Sequence, residues 1–240
     1  MFADKKILAL IPARGGSKGI KNKNIVDLCG KPLIAHTIAS AKKSSYIDRV
    51  IISTDSVDIA RVSKDYGAEV PFMRPDELAS DIARTVDVVM HAVKYFLDIG
   101  DLFDVLILLQ PTQPLRTETD IDGAIELFFE KGEKGLVSVS PVDDNPILIR
   151  TIGDNGELKG ILEMNSTCRR QDMPSYYKVN GCIYINRVED LTRQTSFNDN
   201  PIGYVMESSH SVDIDEPKDL VMAEFFLRKG KENGVQENSS

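Results

Sequence analysis

The sequence predicts an α/β fold, a mainly parallel sheet with helices on both faces. Three observations carry that prediction. Short apolar runs of strand length alternate with amphipathic helical stretches through roughly the first 140 residues. One run, "FDVLILLQ", is apolar almost throughout, as a strand covered on both sides must be. The loop after the first run is rich in glycine and positive charge, at the carboxyl edge where ligands of parallel sheets sit. With 240 residues, 42% of them hydrophobic, the chain can bury a full core.

The elements follow in order. "KILALIP" at 6–12 reads as the first strand, and "KPLIAHTIASAKKS" as a helix, because Leu33, Ile34, Ile38 and Ala41 share one face. "DRVIISTD" is the next strand, "SVDIARVSKDYG" a helix closed by Gly67, and "AEVPFM" a short strand interrupted by Pro71. Val86, Val89, Val93, Phe96 and Leu97 stripe a helix over "TVDVVMHAVKYFLDIG", and "FDVLILLQ" belongs mid-sheet. A helix over roughly 118–131 and the strand "GLVSVS" complete the series.

From about residue 141 the rhythm changes. "NPILIRTIGDNGELKGIL" places two apolar runs around Asp154-Asn155-Gly156, a strong hairpin signal, so 141–178 reads as an inserted β arm. "YYKVNGCIYINR" is a long strand in which Asn180-Gly181 permits a bulge. "GYVMESSHSVDID" supplies one or two more strands, and "EPKDLVMAEFFLRKG" a final helix with Pro217 in its first turn. One domain over 1–230 is expected, followed by a polar, disordered tail over 231–240.

A formal charge of −8 argues against a nonspecific grip on nucleic acid or anionic lipid, so any anion must be held locally. No apolar run approaches the ~20 residues of a membrane span, and a cytoplasmic location is expected. Cys29, Cys168 and Cys182 form no CxxC pair and read as reduced, ordinary residues. His36, His91 and His210 are too scattered for a ligand set, although His210 lies near an acidic pair.

The local grip is expected in "IPARGGSKGIKNKN". Gly15, Gly16 and Gly19 allow backbone N–H groups close to a phosphate, and Arg14, Lys18 and Lys23 add charge. The spacing fits neither a P-loop nor a dinucleotide fingerprint, and a wet surface loop is the competing reading. Asp213 and Asp215 stand two apart in "SVDID". On a strand both carboxylates would face one way, with Val212 and Ile214 to the core, a geometry suited to magnesium. Asp215 could equally cap the helix that follows. Asp81 is placed as the cap of its own following helix. Gln110 ends the most apolar strand, where Pro111 and Pro114 stop its continuation, and Arg116 reads as solvated.

Five segments together resemble the CMP-sialic acid synthetases, the acylneuraminate cytidylyltransferases. They are "IPARGGSKGIKNKN", "RPDELASD" at 74–81, "LLQPTQPLR" at 108–116, "RRQDMPSYYKVNGCIYIN" at 169–186 and "SVDIDEPKDL" at 211–220. The resemblance implies a Rossmann-like nucleotidyltransferase fold whose β arm packs on a partner subunit, giving a homodimer. It implies transfer of CMP from CTP to the anomeric hydroxyl of a nonulosonic acid, with release of pyrophosphate. The implied metal is magnesium or manganese on Asp213 and Asp215, and Asp215 would favour deprotonation of the attacking hydroxyl through it. Arg14, Gly15, Ser17, Lys23, Asn24, Arg74, Ala83 and Thr85 would bind the nucleotide; Thr85 stands where some relatives have serine. Gln110, Arg170 and Tyr184 would bind the sugar acid, Arg170 rather than Arg169 taking its carboxylate. The implied catalytic groups are Arg14, Lys23, Arg170 and Asp215.

Rivals remain: a cytidylyltransferase for the eight-carbon acid Kdo, a sugar-1-phosphate nucleotidyltransferase, and a silent nucleotide-binding dimer module. The run after "PAR" counts against the first and the loop spacing against the second. The choice among N-acetylneuraminate, legionaminate and pseudaminate stays open.

Overall fold

The computed structural model describes residues 2–142, 144–164, 167, 169, 171 and 173–237, with 230–237 described by their backbone only. The strands of the main sheet are β1 (Ile7–Pro12), β4 (Arg49–Ser53), β5 (Val105–Leu109), β6 (Leu136–Pro141), β9 (Tyr177–Arg187) and β10 (Ile202–Val205). Two ladders are small: β2 (Asp27–Leu28) with β3 (Lys31–Pro32), and β7 (Arg150–Ile152) with β8 (Leu158–Gly160). The sheet order is β10-β6-β9-β5-β1-β4. Pairing is parallel for β4, β1 and β5 and for β6 with β10, whereas β9 runs antiparallel to both of its neighbours. The expected α/β architecture with a mainly parallel sheet is therefore present.

Alternation along the strands sends side chains to two cores. Ile7, Ala9 and Ile11 of β1 face a cluster with Ile34 and Ile38 of helix α1 (Leu33–Lys43), Ile59 of α2 (Val57–Asp65) and Phe128 of α4 (Glu118–Glu130). Leu8 and Leu10 face the other cluster, with Val86, Val89 and Phe96 of α3 (Thr85–Asp98). Helix α5 (Pro217–Glu237) packs Ala223 on Leu28, Leu33 and Ile214. Two helix starts are chemically specified. Ser56 caps α2 by accepting from Ile59 N, and Thr117 with Asp120 forms a capping box on α4. Phe128 is fully buried, so Phe128→Ala is expected to cost about 3–5 kcal/mol, read as a shift in denaturation midpoint.

Three expected elements differ. "AEVPFM" forms only an isolated bridge of Glu69 to Ile51, since Pro71 has no N–H to extend a ladder. Of "GYVMESSHSVDID" only β10 is a strand; residues 211–215 form no ladder. Helix α5 continues through Glu237, past residue 230 where a disordered tail was expected. The arm hairpin forms where expected, turning through Gly156 at φ +81°. Asn180-Gly181 coincides with a register shift between β6 and β9.

Candidate active site

The loop that leaves β1 is pinned to its neighbours by backbone groups. Ala13 N donates to Ser53 O at 2.9 Å, and Gly15 N to an Asp55 carboxylate oxygen at 2.9 Å. Asn24 Nδ2 donates back to Arg14 O at 2.9 Å, folding the loop on itself. Gly19 then meets the chain's far end: a Cβ built there would stand 2.4 Å from the Asp215 carbonyl oxygen. Lys23 Nζ completes the meeting with bonds to Ile214 O at 2.8 Å and to an Asp215 carboxylate oxygen at 2.9 Å. The N-terminal turn and the C-terminal aspartate thus face one space.

That space is a cleft of about 410 Å³, lined among others by Arg14, Ser17, Lys23, Asn24 and Asp215. Arg74, Ala83, Thr85 and Gln110 line its other side. Nine of the residues expected to bind nucleotide, sugar acid or metal therefore surround one cleft, whereas Gly15, next to Arg14 in the chain, does not line it. Arg74 is 6% exposed; its Nε donates to Ser53 Oγ at 3.0 Å, and burial lowers its pKa to about 10. A second recess of about 380 Å³ shares Thr85 and Gln110 with the first and includes Tyr184 and Arg193. Tyr184 Oη donates to Asn198 Oδ1 at 3.0 Å, and burial pushes its pKa up to about 12.

Asp213 faces elsewhere. It lines a third cavity of about 510 Å³ with Asp219, Lys178 and Asn180, whereas Asp215 lines the first. The expected burial alternation is present even without a strand: Val212 and Ile214 are buried while both aspartates are exposed. Desolvation of its carboxyl, then the Asp215 and Asp219 charges, raise the Asp213 pKa, opposed by a hydrogen bond from Thr112 and by Lys23. Asp215 does not cap α5. The Asp219 carboxylate takes that role, accepting from Asp215 N at 2.9 Å and Glu216 N at 2.7 Å.

The loop after β5 holds these walls together. Ile214 N donates to Thr112 O at 2.9 Å, Gln113 Nε2 to Asn180 O at 2.6 Å, and Arg116 Nη1 to Cys182 O at 2.8 Å. Arg116, expected in solvent, is 2% exposed, and burial lowers its pKa to about 10. Its place between the loop and β9 was invisible because its partner there, Cys182 O, is a backbone atom 66 residues away. Asp81 is also misplaced by the sequence: Arg84 precedes α3 without a side-chain cap, and Asp81 pairs with Arg14 and Lys18 instead. Arg193, Phe197 and Asn198 were missed, since nothing in a polar connecting loop marks a wall. Arg170 lies outside the described residues, as does Cys168; Cys29 and Cys182 are free.

His210 has a defined partner. Its Nδ1 lies 2.9 Å from Asp120 Oδ2, and that bond raises the His210 pKa above its ordinary 6.5. The Asp120 pKa is lowered, through bonds from His210 and Thr117 that outweigh its burial. Stability from the histidine is complete below pH 6.5 and is lost as pH rises through its higher folded pKa. Stability from the aspartate is present above 3.8 and is lost as pH falls through its depressed folded value. His210→Gln is therefore expected to flatten the pH dependence of denaturation above pH 6.5, where the wild-type histidine loses its proton and with it the stabilising bond.

The cytidylyltransferase family model matches residues 8–231. The chain is 38% identical over 232 residues to the CMP-N,N'-diacetyllegionaminic acid synthase of Legionella pneumophila, covering 95% of this chain and 98% of that enzyme. It is 36% identical to the N-acylneuraminate cytidylyltransferase of Escherichia coli, covering 93% of this chain and 52% of that one. Identity to the pseudaminic acid cytidylyltransferase of Campylobacter jejuni is 30%, over 95% and 99% of the two chains. Among solved structures, a CMP:2-keto-3-deoxy-manno-octonic acid synthetase complexed with CTP shares the fold. Its TM-score is 0.69 at 17% identity, covering 94% of this chain and 99% of that one. With a cation-lined cleft at the sheet's carboxyl edge and a family match over nearly the whole chain, this chain belongs to the cytidylyltransferase family and is a nucleotidyltransferase.

Proposed function

We propose that this enzyme transfers CMP from CTP to the anomeric hydroxyl of a nonulosonic acid of the sialic type, releasing pyrophosphate. One observation carries the reading: the cationic cleft and the Tyr184 recess share Thr85 and Gln110, so a nucleotide and a second substrate would meet at Gln110. The names of the three relatives, all CMP-activating enzymes for such acids, support the choice. Arg14 and Lys23 hold the triphosphate, where fixed cations stabilise charge growing on the leaving pyrophosphate. Gly15, Ser17 and Asn24 shape the phosphate side, while Arg74, Ala83 and Thr85 border the base and ribose. Gln110 and Tyr184 hold the acid, and Arg170 keeps the carboxylate role that the motif assigns it.

Magnesium or manganese fits the donor chemistry. Among the described residues no cluster of three His, Cys, Asp or Glu side chains stands ready to hold a metal alone. Asp215 offers one carboxylate to the cleft, enough for magnesium, which takes one or two when phosphates and water complete its shell; Asp213 lines a different cavity and would have to turn to join it. A bound ion there would neutralise phosphate charge and favour loss of the hydroxyl proton. A homodimer through the β arm is supported by Leu148, Ile149, Ile152, Leu158 and Ile161, apolar and exposed on one hairpin region. No helix among the described residues is long and apolar enough to cross a membrane.

Pyrophosphate release with CTP, magnesium and a panel of N-acetylneuraminate, legionaminate, pseudaminate and Kdo tests the reading. Turnover of at least one nine-carbon acid, with CTP preferred over the other nucleoside triphosphates, is expected. Binding of CTP with no release from any acid would leave a silent nucleotide module instead.

A further inference from the structure

The cations that should receive a polyphosphate already have partners. Arg14 Nη1 stands 2.7 Å from one carboxylate oxygen of Asp81, and Lys18 Nζ stands 2.7 Å from the other. Two oxygens on one centre, each taking a separate cation, reproduce how a phosphate group would bridge the same two side chains. These pairs lower the Asp81 pKa, Lys18 contributing first and Arg14 next. Nothing in the fold requires an acid at this position: Asp81 is half exposed, caps no helix and packs on no core. It lies in the segment that carries Ala83 and Thr85 to the opposite wall of the cleft, beside Ile82, which is 90% exposed.

We propose that Asp81 is a displaceable stand-in for phosphate. It holds Arg14 and Lys18 in the empty cleft and yields both to the entering triphosphate, which frees the 79–84 segment to settle on the nucleoside. Asp81 is thus a positioning residue that acts through Arg14 and Lys18, and it ties the phosphate-binding wall to the nucleoside-binding wall. Without it, two like charges would share the empty loop with only solvent between them. With it, the loop waits in a near-bound arrangement, and each CTP must first displace a carboxylate. The inference rests on the triphosphate reading of the cleft.

Calorimetry with inorganic tripolyphosphate tests it, because that probe engages the cations without touching the nucleoside side. Asp81→Asn is expected to tighten tripolyphosphate binding roughly three- to tenfold, the scale of two partly exposed ion pairs no longer broken on binding. Asp81→Glu, which keeps the charge, should stay near wild type. Asp76→Asn removes the same charge from the same exposed segment but from neither cation, and should leave the affinity unchanged. In wild type, amide exchange across 79–84 should rise on adding tripolyphosphate; in Asp81→Asn it should already be raised and should not change further. Unchanged or weaker binding by Asp81→Asn, or equal tightening by Asp76→Asn, would overturn the proposal. Wild-type protein that binds neither tripolyphosphate nor CTP would instead remove the triphosphate reading, and this inference with it.

Discussion

Asp215→Asn is expected to lower turnover about a hundredfold or more, while leaving the melting temperature close to wild type. The catalytic loss follows from weakening the carboxylate that would hold a divalent cation against the reacting phosphates, and losing that electrostatic stabilisation is worth about 3 kcal/mol of barrier. The unchanged stability follows from this structure: the Asp215 side chain is exposed, its carboxylate caps no helix, and Asp219 supplies the bonds that start α5. Its bond to Lys23 is the one fold contact at risk, and Lys23 Nζ keeps a second partner in Ile214 O. Magnesium needed for half-maximal rate should rise in parallel. Turnover equal to wild type at saturating magnesium would remove Asp215 from the chemistry.

Gly19→Ala is expected to have the second-largest effect, with KM for CTP raised at least tenfold and turnover reduced as well. The methyl would enter within 2.4 Å of a backbone oxygen, Asp215 O, and backbone cannot rotate aside as a side-chain tip can. The loop or the aspartate must move by about an ångström, a displacement that costs on the order of a hundredfold in a positioned reaction. Gly16→Ala provides the contrast, since a Cβ there meets nothing within 4 Å and the loop should keep its place. A Gly19→Ala variant with wild-type KM would show that the loop and the aspartate segment need not touch.

Local chemistry made much of this protein readable in one dimension. The strand–helix alternation, the hairpin at Gly156 and the bulge at Asn180-Gly181 each depend on residues within a few positions of one another, and each is present. The Gly-rich run could be recognised as a loop at a strand's carboxyl end for the same reason. Where a segment's state depended on distant partners, the reading failed. "SVDID" alternates like a strand, yet its neighbours are the Thr112 loop and Lys23, so it hydrogen-bonds to those and joins no ladder. Asp81 has the local look of a helix cap, but two cations more than 60 positions earlier attract it more strongly.

The sequence alone determined the order of strands and helices, the phosphate-binding character of the first loop, and the kinship carried by five spaced motifs. Tertiary structure decided which of those motifs share a cleft, that Asp213 and Asp215 line different cavities, and that Arg116 is buried rather than solvated. The physical reason is range. Backbone propensity and hydrophobic period act over a few residues, whereas an ion pair or a buried guanidinium is specified by atoms that only the folded sheet brings within 3 Å.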